Sequence, residues 1–284
     1  MAPAITITEF TDPGCPWAYS AEPARLRVKW LYGEEIDWNL CMVGLSESTD
    51  AFLAAGFTPE RMASGMAEFA TRYGMPFDTT VRPLAATVPA CRAVIAARRN
   101  APEREWRLLR ALRVRAFGGA LLDQPATIDA AAVDAGIDPH DLALWIADPA
   151  TDAALAEDIR LARSPSAAAL ALDHKLADSA DGRRYTCPSY EIGEPGGRSL
   201  AAPGFQPAAV YETLIANLAP GLPRREPPAG VEELLEWCEA PPSTAEVAAV
   251  LGIEIDQARE KCSAVATLEP VGADGFWHRS RPNL

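Results

Sequence analysis

Apolar and polar residues alternate along Ile5-Thr6-Ile7-Thr8-Glu9-Phe10, which predicts a buried strand over 5–10. The pattern then becomes helical from Trp17 to Tyr32, with Leu26, Val28 and Leu31 apolar. Residues 36–44 alternate at first and then turn fully apolar, predicting a second strand. A strand–helix–strand opening of this length implies a βαβ unit with parallel strands. Residues 50–178 read as almost entirely helical, rich in Ala, Leu and Arg and broken by Pro and Gly. Within Glu105–Arg113, Leu108, Leu109 and Leu112 share one face, and Arg107, Arg110 and Arg113 lie towards the other. Strand character returns over 184–193 and, after a turn at Glu194-Pro195-Gly196-Gly197, over 198–201. A helix over 206–219 carries Val210, Tyr211, Leu214, Ile215 and Leu218 on one side and stops at Pro220-Gly221.

A linker, Leu222-Pro223-Arg224-Arg225-Glu226-Pro227-Pro228, separates a tail with its own pattern. Val231, Leu234, Leu235 and Cys238 predict a short amphipathic helix. Ser243-Thr244-Ala245-Glu246 is a capping box opening a helix that Gly252 ends. A further helix is expected from about Asp256 to Thr267 and a small hairpin over 268–278, the helix–helix–hairpin order of a winged helix. Residues 243–284 carry four Lys/Arg against six Asp/Glu. A DNA reader is ordinarily basic, so the tail is read as a packing or dimerisation appendage.

Composition narrows the function. The chain has 284 residues, 49% of them hydrophobic and 23% charged, with a net charge of -13. This is a globular composition, and the charge disfavours broad nucleic-acid or anionic-membrane binding. No segment approaches the ~20 apolar residues of a membrane-spanning helix. The first strand begins almost at Met1, leaving no room for a signal peptide, so a cytoplasmic location is expected. Cys15, Cys41, Cys91, Cys187, Cys238 and Cys262 are scattered with no CxxC. That spacing argues against a zinc site and a disulfide framework, and no metal is expected. His140, His174 and His278 are isolated, and Gly196-Gly197 sits in a hairpin turn rather than a phosphate loop.

Candidate chemistry concentrates in Thr11-Asp12-Pro13-Gly14-Cys15-Pro16-Trp17-Ala18-Tyr19-Ser20. Cys15 stands where a strand hands over to a helix N-terminus. Unpaired N–H groups there stabilise negative charge and favour a thiolate. Pro16 suits the first helical position, where its missing N–H costs nothing.

With Cys15-Pro16-Trp17 at the first helix and the order βαβ, helical block, Pro-containing hairpin, helix, the chain resembles the DsbA-like branch of the thioredoxin superfamily. FrnE-type proteins are the nearest resemblance, on Asp12-Pro13-Gly14-Cys15-Pro16-Trp17-Ala18-Tyr19. Thr186-Cys187-Pro188-Ser189-Tyr190 resembles the family's cis-proline loop, and the likeness covers roughly residues 4–221. It implies an α/β thioredoxin fold over 1–225 with an inserted all-helical domain at about 50–178. A small winged-helix-like appendage occupies 226–284. It also implies thiol–disulfide chemistry, with Cys15 matching the nucleophile, Pro188 the cis-proline, and Glu9 a buried carboxylate that manages protons. Ala18 stands where a second active-site cysteine belongs, so Cys15 cannot be resolved within its own motif.

Cys187, beside Pro188, is therefore the candidate resolving thiol, with an external thiol as the alternative. Such a disulfide requires Cα atoms within about 7 Å. Trp17, Pro16 and Thr186 are candidates to contact substrate. The arginines at 92, 98, 99, 107, 110, 113 and 115 read mainly as a solvated face, one of them available to the carboxylates of a small thiol cofactor. No cofactor is required; a low-molecular-weight thiol remains open, as does a homodimer. The expected partner is a protein or small-molecule thiol or disulfide. Two alternatives stand beside the oxidoreductase. One is a thiol-cofactor-dependent transferase or isomerase resembling kappa-class glutathione transferases or hydroxychromene-carboxylate isomerases. The other is a degenerate thioredoxin-fold binding module.

Overall fold

The computed structural model describes residues 3–179 and 182–279. Strand β1 (Ile5–Thr11) pairs in parallel with β2 (Ile36–Met42), Ile5 opposite Ile36 and Thr11 opposite Met42. On its other side β1 pairs antiparallel with β5 (Ser189–Gly193), which pairs antiparallel with β6 (Ser199–Pro203). The sheet order is β2-β1-β5-β6. β1 is thus a central strand, and the loop at its C-terminal end opens beside the start of β5.

The expected helix over 17–32 is two helices, α1 (Pro16–Ser20) and α2 (Glu22–Tyr32). Pro23 explains the break, because an interior proline removes an amide donor and its ring crowds the carbonyl four residues back. The expected strand over 184–193 is also divided. Gly182–Arg184 (β4) pairs with Ala177–Ser179 (β3) in a separate hairpin, and β5 begins only after Pro188, which has no N–H for a ladder.

The helical block between β2 and β3 comprises α3 (Thr49–Ala54), α4 (Pro59–Tyr73), α5 (Val88–Asn100), α6 (Glu105–Phe117), α7 (Pro125–Ala135), α8 (Pro139–Ala147), α9 (Pro149–Ala162) and α10 (Ala167–Leu170). Leu40 and Met42 of β2 pack with Val94 and Ile95 of α5 and with Leu108, Leu109 and Leu112 of α6, so one sheet face is roofed by the block. α6 departs from the expected solvated arginine face. Arg113 is 0% and Arg110 3% exposed. The helix is enclosed on both sides, and its arginines are held by carboxylates from other elements.

The same face, at Ile5, Ile7, Tyr190 and Ile192, is covered further along by α2 and α11 (Ala208–Leu218), and Phe10 and Cys41 point to the other face. The C-terminal segment adds α12 (Val231–Trp237), α13 (Thr244–Leu251), α14 (Ile255–Val265), β7 (Ala266–Val271) and β8 (Asp274–Arg279). Both halves of the Ser243/Glu246 capping box are present, and Ser243 bridges Phe276 of the hairpin. Val247, Ala248 and Val250 join Leu26, Val28 and Trp30 in one core, so the segment shares its interior with the sheet. Arg110 and Glu246 form a buried ion pair at 2.7 Å across the junction. The hairpin turn fits only glycine at 272, where φ is 60° and a Cβ would lie 2.0 Å from the Phe77 carbonyl oxygen.

Candidate active site

Cys15 is the N-cap of α1, and its amide donates to the Asp12 carbonyl at 3.2 Å. This tight loop requires Gly14, where a Cβ would come within 2.4 Å of Thr87 Cγ2. The Cys15 thiol donates to the Cys187 carbonyl at 3.1 Å, across 172 residues of sequence. The Cys187–Pro188 peptide bond is cis. Both thiols are free, Cys15 being 3% and Cys187 8% exposed.

Cys15 shares an apolar cluster with Phe10, Ala18, Cys41, Val43 and Tyr185. The sulfur is not sealed in, however. Cys15 and Cys187 lie on the wall of a cavity of about 800 Å³, together with Pro16, Trp17 and Thr186. Sequence-predicted contact residues thus share one cavity. Trp17 is 41% exposed and meets Phe69 edge-on at 4.8 Å, with Phe205 at 5.7 Å. Thr186 turns its hydroxyl to the Lys175 carbonyl at 2.8 Å, which ties the Cys187 loop to the segment before β3. Ala18 is fully buried, leaving its position without a thiol.

Burial pushes the Cys187 thiol well above its ordinary range. The neighbouring Cys15 and the Asp12 charge push the same way, and Arg113 only partly opposes them. Cys187 is therefore held in its protonated form.

Glu9 is buried and its carboxylate is held by three donors. Its carboxylate accepts from Arg25 at 3.2 Å, Trp38 at 3.1 Å and Arg113 at 3.3 Å. Arg113 also binds Glu22 and Thr11. The carboxylate coupled to the cysteines is instead Asp12. It is fully buried and accepts from the amides of Gly14 and Leu45, both at 2.8 Å, from Thr87 at 3.0 Å and from Cys91 at 3.3 Å. Burial raises its pKa despite these donors. Its signal lay in the motif itself, three residues before Cys15, but its burial depends on Thr87 and Cys91 far along the chain.

Residues 6–167 match the model of the DSBA-like thioredoxin domain. The chain belongs to that family, whose members are thiol–disulfide oxidoreductases. Among solved structures, it is similar to a Nitrosomonas europaea protein described as a candidate disulfide isomerase, with 17% identity, TM-score 0.57, and 75% of this chain and 96% of the other covered. It is also similar to the cytosolic disulfide reductase DsbM from Pseudomonas aeruginosa, with 18% identity, TM-score 0.52, and coverage of 75% and 99%. A DsbA-type oxidoreductase structure from Streptomyces coelicolor is alike at 17% identity and TM-score 0.53, covering 80% and 94%. At these identities the likeness is one of fold. No curated protein sequence matches the chain. Among the described residues no helix is long and apolar enough to cross a membrane.

Proposed function

We propose that this protein is a thiol–disulfide oxidoreductase working through one motif cysteine, Cys15, with Cys187 as its resolving thiol. The observation that carries this reading is the 3.1 Å contact between the Cys15 thiol and the Cys187 carbonyl on the wall of an open cavity. The Cys15 thiolate attacks one sulfur of a substrate disulfide, forming a mixed disulfide and expelling the other half as a thiolate. Cys187, its proton passing to the thiolate already expelled, then attacks the Cys15 sulfur. A Cys15–Cys187 disulfide forms, and the second substrate half leaves as a thiolate. Two equivalents of an external thiol restore both cysteines. Pro16, Trp17 and Thr186 line the substrate's approach, and Glu9 anchors the strand beneath. No metal or redox cofactor enters these steps, and the chemistry suits a reducing compartment such as the cytoplasm.

The test is single-turnover reaction of the reduced protein with a small disulfide, followed by intact mass and peptide mapping. The wild type is expected to lose two hydrogens and to yield a peptide linking Cys15 to Cys187. Cys187→Ser is expected to stop at the Cys15 mixed disulfide, and Cys15→Ser to lose the reaction at this site. Accumulation of the mixed disulfide in the wild type, with no such cross-link, would assign resolution to an external thiol.

A further inference from the structure

The proposed function leaves the substrate open, and the cavity beside Cys15 has a distinctive charge. In a chain of net charge -13, most cations are occupied in ion pairs. Among the described residues six of the Arg and Lys side chains, Arg61, Arg72, Arg163, Lys175, Arg184 and Lys261, have no acidic partner, and three of them, Arg61, Lys175 and Arg184, line this cavity. Glu68 is the only carboxylate in the lining, and His174 adds an imidazole near Lys175. Arg61 is steadied without being neutralised, by the Gly56 carbonyl at 2.9 Å and the Phe57 ring at 5.2 Å. Arg184 is held in the same manner by the Tyr185 carbonyl at 2.9 Å. Five aromatic side chains, Trp17, Phe52, Phe57, Phe69 and Phe205, join Leu45, Met62, Met66 and Leu176 in the rest of the wall.

We propose that the cavity takes a small disulfide with an apolar, aromatic body and anionic ends. The body lies against the aromatic wall beside Cys15, and the anionic ends meet Arg61, Lys175 and Arg184. This inference rests on Cys15 acting as the nucleophile. The volume suits a small molecule. Three unpaired cations gathered on one cavity wall attract anions there against the repulsion of a strongly acidic chain. The step is the exchange already written: a bond forms from Cys15 to the near sulfur, the disulfide bond breaks, and an anionic aryl thiolate departs.

The experiment compares reduced wild type against four disulfides: dithiobis(nitrobenzoate), aromatic and anionic; dithiodipyridine, aromatic and neutral; glutathione disulfide, anionic with a polar body; and cystamine, cationic. Each rate constant at Cys15, taken as the difference from Cys15→Ser, is divided by that disulfide's rate with free mercaptoethanol, which removes leaving-group differences. The normalised rate for dithiobis(nitrobenzoate) is expected to exceed that for dithiodipyridine roughly tenfold, as three exposed charge contacts of modest strength would give. Glutathione disulfide should trail it and cystamine come last, and added salt should shrink the differences.

The preference should fall towards unity in Arg61→Gln/Lys175→Gln/Arg184→Gln. It should persist in Arg72→Gln/Arg163→Gln/Lys261→Gln, which changes the net charge equally at cations outside the cavity. Equal normalised rates, or the same loss in both triple variants, overturns the proposal while leaving Cys15 chemistry intact. If no disulfide reacts faster than with Cys15→Ser, the functional reading itself fails and the substrate assignment falls with it.

Discussion

Two buried carboxylate regions lie at the two ends of β1's C-terminal half, and they are built on opposite principles. Within the strand and against α2, Glu9 and Glu22 are surrounded by cations: Arg113 and Arg25 reach Glu9, and Arg113 binds Glu22. Burial alone would raise the Glu22 pKa, but Arg113, Arg110 and Arg25 together outweigh it and hold Glu22 below the usual carboxylate range. In the loop after the strand, Asp12 is equally buried and meets only neutral donors, so burial prevails and its pKa is raised. One region is a structural ion cluster in which removing a member strands a charge. The other keeps a sensitive carboxylate, with no counter-ion, within electrostatic reach of Cys187 and Cys91. The difference assigns scaffold to one end and chemistry to the other.

The strongest way to break this contrast is Arg113→Met. It leaves Glu22 and part of Glu9 buried without compensation and should destabilise the fold by about 3–5 kcal/mol, read as a lower urea midpoint. In the loop, Gly14→Ala should cost about 1–3 kcal/mol, because the new methyl meets Thr87 Cγ2. Thr87→Ser removes that methyl while keeping the hydroxyl on Asp12, so the double variant should recover most of the loss. Simple additivity of the two would show that the loop tolerates a side chain at 14.

The pH dependence sharpens the contrast further. The folded Glu22 pKa lies below its unfolded value, so its contribution is present above the ordinary carboxylate pKa and is lost as pH falls through the folded value. The folded Asp12 pKa lies above its unfolded value, so its contribution is full below the ordinary pKa and is lost as pH rises through the raised value. Urea midpoints across pH should therefore show a flatter acid limb in Glu22→Gln. Asp12→Asn should flatten the decline on the higher-pH side. Matching profiles in the two variants would contradict the distinction.

The smallest effect is expected from Arg92→Gln, whose partner Asp152 is exposed at 2.6 Å. Its loss should cost less than about 1 kcal/mol. A large loss there would mean that surface arginines of the block resemble Arg113 after all.

Much of this was legible from local pattern. Alternation located β1 and β2, the Ser243/Glu246 box located α13, and Pro188 marked the loop that meets Cys15. These signals act over a few residues and need no knowledge of what packs against them. The misreadings share one cause. Pro23 and Pro188 each interrupted an element that hydrophobic periodicity ran through, since periodicity registers side chains and not missing amide donors.

The fate of the arginines was the harder matter. Arg107, Arg110 and Arg113 recur along the same helix, yet Arg107 is 36% exposed and Arg113 is sealed. Their partners, Glu239, Glu246 and the Glu9/Glu22 pair, lie about a hundred residues away or more. The chain alone thus determined most of the elements and the family, because spacing and backbone chemistry are written locally. Tertiary structure alone decided which carboxylate is neutralised, which is left without a cation, and which arginines remain free to meet a ligand. Burial and ion pairing are properties of long-range neighbours, which no single segment specifies.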